Sequence, residues 1–146
     1  MRVAAQTILP VSPAEAWGRL AAWEDQARWM KDAARVRVLT SSRQGVGVRV
    51  AVKTRVLRVP LFTEELEVTA WDPPRRLVVA HRSFVRGEGE WVLDAVGGGT
   101  RFTWTEDLAL PVPLLGPVAL AAYRPLLRGL MRDSLANLRA LAAGER

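Results

Sequence analysis

GGGTRFTWTEDLALPVPLLGPVALAAYRPLLRGLMRDSLANLRALAA, residues 97–143, carries in one run a glycine turn, an alternating strand, a proline-punctuated loop and a long amphipathic stretch. In its first part Phe102, Trp104 and Glu106 fall on one side with period two, the pattern of a strand with one buried face. After Asp107 the period changes. Pro111 to Gly116 reads as a loop, and a helix is expected from about Pro117 to about Ala143. On its projection Ala119, Tyr123, Leu126, Leu130, Leu138 and Leu141 share a broad face, with Arg124, Arg128, Arg132 and Arg139 opposite. Pro125 should kink it near its start. The apolar run from Leu108 to Tyr123 is broken by Pro111, Pro113 and Pro117 and is shorter than the ~20 residues of a membrane span, so no transmembrane helix is expected.

Upstream, Arg2 to Leu9 alternates as a half-buried strand, with Val3, Ala5, Thr7 and Leu9 on one side. Ser12-Pro13-Ala14-Glu15 then supplies an N-cap hydroxyl, a first-turn proline and a glutamate at the third position, the pattern of a capping box. Trp17 and Leu20 share a face of the resulting helix. A second short helix, roughly Glu24 to Ala33, turns Trp29 and Met30 toward the core. From Arg35 to Asp107 the period is two. The breaks at Arg43-Gln44-Gly45, Val59-Pro60, Asp72-Pro73-Pro74-Arg75, Arg86-Gly87 and Gly97-Gly98-Gly99 divide that stretch into six strands. Closing hairpins at those breaks puts Arg55 opposite Glu65, Lys53 opposite Glu67, Glu67 opposite Arg82, Arg82 opposite Glu90 and Asp94 opposite Arg101. Such pairs contribute roughly 0.2–1 kcal/mol each and favour this register over one that opposes like charges.

One strand, two short helices, six more strands and a long helix enclose a core only if the sheet bends around the last helix. The fold class is therefore α+β, a helix-grip arrangement of a seven-stranded curved antiparallel sheet around a long C-terminal helix. Four segments, in this order, carry a family resemblance: Val11-Ser12-Pro13-Ala14-Glu15-Ala16-Trp17, Trp71-Asp72-Pro73-Pro74-Arg75-Arg76-Leu77, Gly97-Gly98-Gly99-Thr100-Arg101-Phe102-Thr103-Trp104 and Arg124-Pro125-Leu126-Leu127. With them the chain resembles the polyketide cyclase/dehydrase and lipid transport branch of the START-like, or SRPBCC, superfamily, as one domain over residues 1–146. The resemblance implies a lipid-like or polyaromatic ligand between sheet and helix. It implies no universal catalytic residue, since members divide among carriers, sensors, cyclases and chaperone-like proteins, and fold alone does not settle function.

The residues themselves describe the pocket such a ligand would need. Inward positions on the earlier strands are mostly small, among them Ala5, Thr7, Val48, Val50, Val52, Thr54, Ala70 and Val79, while Trp91, Leu93, Phe102 and Trp104 enlarge the later ones. The expectation is a cavity with aliphatic and aromatic walls, against the plainer reading that these side chains only pack the core. Polar groups on the same face must find partners. His81 shares parity with Leu77 and Val79, Glu64 with Leu66 and Val68, and Glu106 with Phe102 and Trp104, while Tyr123, Ser134 and Asn137 sit on the inner helix face. The expected ligand-binding set adds Leu126 and Leu130 from the helix. His81, the only histidine, could serve as a general acid or base or be a satisfied core residue. Glu106 could hold a ligand hydroxyl or ammonium, or simply meet an arginine.

Composition bounds the rest. With 49% hydrophobic and 25% charged residues the chain is an ordinary globular sequence. It has no cysteine, which removes disulfides and thiolate chemistry and permits a reducing compartment. Met1 to Gln6 is not followed by a signal-type apolar region, so a cytoplasmic location is expected. Gly87-Glu88-Gly89 and Gly97-Gly98-Gly99 precede strands rather than helices and read as hairpin turns, not phosphate loops. No serine elbow, paired-histidine helix or metal-ligand spacing occurs, so neither metal nor cofactor is expected. The charge of +6 and the like-charged Arg124, Arg128 and Arg132 suit an anionic membrane surface or an acidic partner, with nucleic acid a less favoured one. The function expected first is binding or transport of a hydrophobic small molecule without catalysis, with access near Leu108 to Leu115. The alternatives are a metal-free cyclase/dehydrase using His81, Glu106 and Tyr123, and an interaction module on the basic helix face.

Overall fold

The computed structural model of the protein describes residues 1–56 and 58–144. Seven strands form one antiparallel sheet in the order β1-β7-β6-β5-β4-β3-β2. The strands are β1 (Arg2–Leu9), β2 (Ala33–Val38), β3 (Arg49–Val56), β4 (Val59–Asp72), β5 (Arg76–Arg82), β6 (Arg86–Val96) and β7 (Gly99–Ala109). Helix α1 (Pro13–Leu20) and a 3₁₀ turn (Trp23–Arg28) follow β1, and helix α2 (Leu115–Ala142) closes the chain. The sheet is curled around α2, the helix-grip architecture expected from the sequence.

Local chemistry explains the ends of these elements. Ser12 caps α1 by accepting from the Glu15 amide at 3.2 Å, with Pro13 in the first turn. Between β6 and β7, Val96 pairs with Gly99, and Gly97 and Gly98 both take positive φ, 47° and 87°. That is what a two-residue turn compatible with strand twist demands. Helix α2 is anchored at both ends of the sheet's open side. Arg124 Nε donates to the Arg2 carbonyl at 3.2 Å, while Ser134 Oγ accepts from the Lys31 amide at 2.8 Å and donates to the Leu130 carbonyl at 2.7 Å. The core beneath it joins Leu9, Leu20, Trp23, Trp29, Leu77 and Phe102 to Met131, Leu135 and Leu138, all essentially inaccessible to solvent.

Several boundaries and registers differ from expectation. The β3–β4 hairpin closes ahead of Val59-Pro60, since Val56 pairs with Val59. The β5–β6 turn occupies residues 83–85, so Gly87 and Gly89 lie inside β6 rather than in a turn. Asp94 does face Arg101. Glu65 instead faces Ala51, Glu67 faces Arg49 and Ala80, and Glu90 faces Val78. Every slip is by an even number of residues, which leaves inward side chains inward. The charges still meet along neighbouring strands, Arg49 with Glu65 at 2.8 Å, Arg76 with Glu90 at 2.7 Å and Arg82 with Glu67 at 3.7 Å. A bulge between Val68 and Ala70 does reverse parity. Beyond it Trp71, not Ala70, faces Leu77 and packs edge-on against Trp17, with ring centroids 5.1 Å apart.

Helix α2 buries Ser134 and Leu138 as expected, but over its first half it buries a face one residue round from the expected one. Leu120, Leu127, Met131, Ser134, Leu135 and Leu138 are buried, whereas Ala119 and Leu126 are exposed and Leu130 is half-buried. Leu126-Leu127 and Leu130-Met131 are adjacent apolar pairs, so the apolar arc is wider than the contact, and packing against the sheet selects which member turns in.

Candidate functional site

Between sheet and helix lies a cavity of about 240 Å³. Of the residues expected to line it, Val52, Thr54, Glu64, Leu66, Val79 and His81 do so from β3, β4 and β5. Trp91, Trp104 and Glu106 do so from β6 and β7, and Tyr123 from α2. Val50, Val68, Leu93 and Phe102 face the same way but lie in the packed core, each nearly inaccessible. Leu126 and Leu130 are not on its wall, and Leu127 takes their place. Asn137 is exposed, its amide donating to the Trp29 carbonyl at 3.3 Å.

Other wall residues come from segments the period-two reading did not reach. Trp23, Gln26, Met30, Asp32 and Ala33 enter from the connection between α1 and β2, and Phe62, Val85 and Leu108 from strand ends. Of the first group, the expected helix over Glu24 to Ala33 turned Met30 inward, while Trp23, Gln26, Asp32 and Ala33 were not singled out by periodicity. The aromatic wall is braced from behind: the Trp29 ring lies 6.0 Å from that of Trp91 and 6.2 Å from that of Trp104.

The polar groups of this cavity form a connected cluster. His81 Nε2 is 2.9 Å from Glu106 Oε2, and Trp104 Nε1 donates to Glu106 Oε1 at 2.9 Å. On the other side of the ring, Nδ1 is 3.4 Å from Glu64 Oε1, an ion-pair contact without hydrogen-bond alignment. Thr54 Oγ1 donates to Glu64 Oε2 at 3.2 Å. Burial works against charge on the imidazole, but the flanking Glu106 and Glu64 carboxylates outweigh it and push its pKa up to about 10. His81 is therefore an imidazolium at neutral pH.

Glycine makes room for this arrangement. Gly89 stands opposite both Val79 and Glu106, and a Cβ there would lie 2.9 Å from Glu106 Oε1. Gly87, opposite His81, takes φ 125°, and a Cβ would run into the Asp107 carbonyl. These strand glycines mark a close approach rather than a turn. Two further groups face the hollow. Burial, then the fields of Glu106 and Glu64, push the Asp32 carboxyl up to about 6. Burial, then the charges of Asp32, Glu64 and Glu106, push the Tyr123 phenol up to about 12. No group of three or more histidine or acidic side chains among the described residues is placed to hold a metal ion.

At the end of the sheet where β1 begins and β7 ends, the surface is unusually apolar. Leu114, Leu115, Val118 and Phe84 are 86%, 70%, 67% and 63% exposed, beside the cavity-lining Leu108, Val85 and half-covered Phe62. Leu114 has φ 65° and ψ −51°, and the Leu115 amide donates to the Pro113 carbonyl at 2.7 Å. That is a γ-turn of the rare, strained kind on a bulky residue. A second hollow of about 410 Å³ opens nearby, bordered by Arg2, Leu110, Pro117, Leu120 and Arg124. No helix of the described residues is long and apolar enough to cross a membrane.

A profile of the family described as polyketide cyclase/dehydrase and lipid transport matches residues 1–143. No curated protein matches the sequence. Among solved structures, TTHA0849 from Thermus thermophilus superposes with a TM-score of 0.80 at 21% identity, over 99% of this chain and 98% of that one. The Zhui aromatase/cyclase from a Streptomyces species gives 0.74 at 18% identity, over 99% and 92%. The di-domain aromatase/cyclase StfQ of the steffimycin biosynthetic pathway gives 0.77 at 13% identity, over 98% of this chain and 50% of that one. At these identities the likeness is one of fold.

Proposed function

Because the chain belongs to the polyketide cyclase/dehydrase and lipid transport family, we propose that it binds a hydrophobic small molecule, lipid-like or polyaromatic, in the cavity between sheet and α2. One observation carries this reading: a hollow of about 240 Å³ walled by Trp23, Leu66, Trp91, Trp104 and Leu127, with His81, Glu64, Glu106 and Thr54 joined in one polar cluster on its wall. An apolar space of that size is left unfilled against the general closeness of protein packing, and it forgoes contact energy that a ligand would restore.

For the His81 and Tyr123 that the cyclase/dehydrase alternative names, the chemistry favours holding a ligand over turning one over. A general base near neutral pH needs a pKa close to the working pH. His81, up at about 10, and Tyr123, up at about 12, keep their protons there. The cyclase/dehydrase alternative with His81, Glu106 and Tyr123 would thus have orienting groups and no base among His81 and Tyr123. The apolar end around Leu114, Leu115 and Val118, with Arg2 and Arg124 beside it, supports access to the cavity there and an anionic membrane surface as the place where ligand is exchanged. A cytoplasmic carrier fits this reading.

Thermal unfolding measured across a panel of fatty alcohols, quinones and polycyclic aromatics tests it. A true ligand at 100 times its Kd adds about 2.7 kcal/mol to stability, and Leu66→Trp, which fills the hollow, should abolish the shift. No stabilisation by any apolar compound, or equal stabilisation of the filled variant, would refute the reading.

A further inference from the structure

We infer that the ligand carries a cationic nitrogen on its apolar body, and that Asp32 is its counter-ion. The inference rests on the binding reading above and narrows it to lipophilic amines. Among the described residues, the cavity wall contains the carboxyl groups of Asp32, Glu64 and Glu106 and, against them, one cation, His81, with no lysine or arginine lining it. His81 lies between Glu64 and Glu106 at 3.4 and 2.9 Å, and Thr54 and Trp104 donate to their remaining oxygens. Asp32 is left out of this network. Among the described residues no side chain donates to it, and Arg55, whose charge acts on it, lies off the wall with its Nη2 donating to the Ala33 carbonyl at 3.3 Å.

A carboxylate in an apolar hollow is expensive unless a partner compensates it. The raised pKa of Asp32 is the sign that its own backbone amide and the Arg55 charge offset burial and the neighbouring carboxylates only in part. A metal ion is not the missing partner, because the acidic and histidine side chains among the described residues are not grouped to hold one. A hydroxyl on a neutral ligand could accept or donate a hydrogen bond but would leave the charge uncompensated. An ammonium would neutralise it, and the same space is lined by the aromatic rings of Trp23, Phe62, Trp91, Trp104 and Tyr123, the side chains on whose faces organic cations rest. A fatty acid would bring one more negative charge to a site that already has an excess.

Isothermal titration of the whole protein with 4-phenylbutylamine, 4-phenylbutanol and 4-phenylbutanoate at pH 7.5, followed by their dodecyl counterparts, separates these cases. The amine should bind at least tenfold tighter than the alcohol of the same length, and the acid weakest. In Asp32→Asn the amine should lose that preference while the alcohol keeps its affinity. The unliganded variant should melt at a higher temperature than the native protein, since an uncompensated charge has been removed. Alcohol or acid binding as tightly as amine would overturn the cation inference and leave the apolar-ligand reading standing. An amine preference unchanged in Asp32→Asn would overturn Asp32 as counter-ion. Binding by none of the compounds would overturn the apolar-ligand reading with it.

Discussion

At the scale of single residues the site depends on a carboxylate held where a side chain would otherwise be. Glu106 occupies the space opened by Gly89, and from there it fixes the His81 ring and the Trp104 indole. Gly89→Ala should push Glu106 aside, cost roughly 1–3 kcal/mol as an overpacking change, and bring the His81 pKa, followed by NMR, down from about 10. An unchanged pKa in that variant would refute the role given to Gly89. The same contacts set a pH dependence. Free imidazole titrates near ~6.5 and folded His81 near 10, so its ion pairs stabilise fully below the first value and lose their contribution as pH rises through the second. Asp32, also raised, acts in the same direction from 3.8 to about 6. His81→Gln should flatten the alkaline window, and His81→Ala, which leaves two carboxylates unscreened, should cost about 3–5 kcal/mol. A native-like alkaline slope in His81→Gln would contradict the ion-pair account. His81, Glu64 and Glu106 were legible from strand parity. Asp32 and Gly89 were not, one lying in irregular chain and the other acting through the side chain it lacks.

At the scale of elements, the sequence determined faces better than partners. The alternation of β3 to β7 survives register slips because those slips are even, whereas exposed charges tolerate diagonal pairing and so do not fix the register. Parity failed at the bulge after Val68, where Trp71 replaced Ala70 inside, and the register shifts again between Thr54 and Arg55. On α2 the doubled leucines hid which edge of a wide apolar arc meets the sheet, and Leu127 with Met131 line up where Leu126 and Leu130 were expected. The proposed membrane exchange places a role outside the cavity on the connection from β7 to α2. Leu114 and Leu115 are held out in solvent by a strained turn, a conformation that costs free energy and gains nothing within the chain. Vesicles containing phosphatidylserine should therefore bind the protein, and Leu114→Ser with Leu115→Ser should weaken that binding several-fold without altering the melting temperature. Equal binding to purely zwitterionic vesicles, or no effect of the double change, would contradict the docking role.

At the scale of the whole molecule, the curled sheet and its helix do not fill the volume they enclose. The large aromatic side chains do not seal the gap, because Trp29, Trp91 and Trp104 pack on one another along one wall and the small Val52, Thr54 and Val79 leave the opposite side open. Helix-grip architecture could be read from element order, since no other arrangement closes a core from this succession. The hollow itself follows from which residues are small, and its charge from side chains on four separate segments. The most direct test is the native mass spectrum of protein purified gently from cells. The account predicts a discrete non-covalent adduct, an apolar molecule with a basic nitrogen, which is missing when Leu66→Trp is prepared in the same way; a bare polypeptide mass in both preparations, with no adduct after incubation with any apolar compound, would contradict it.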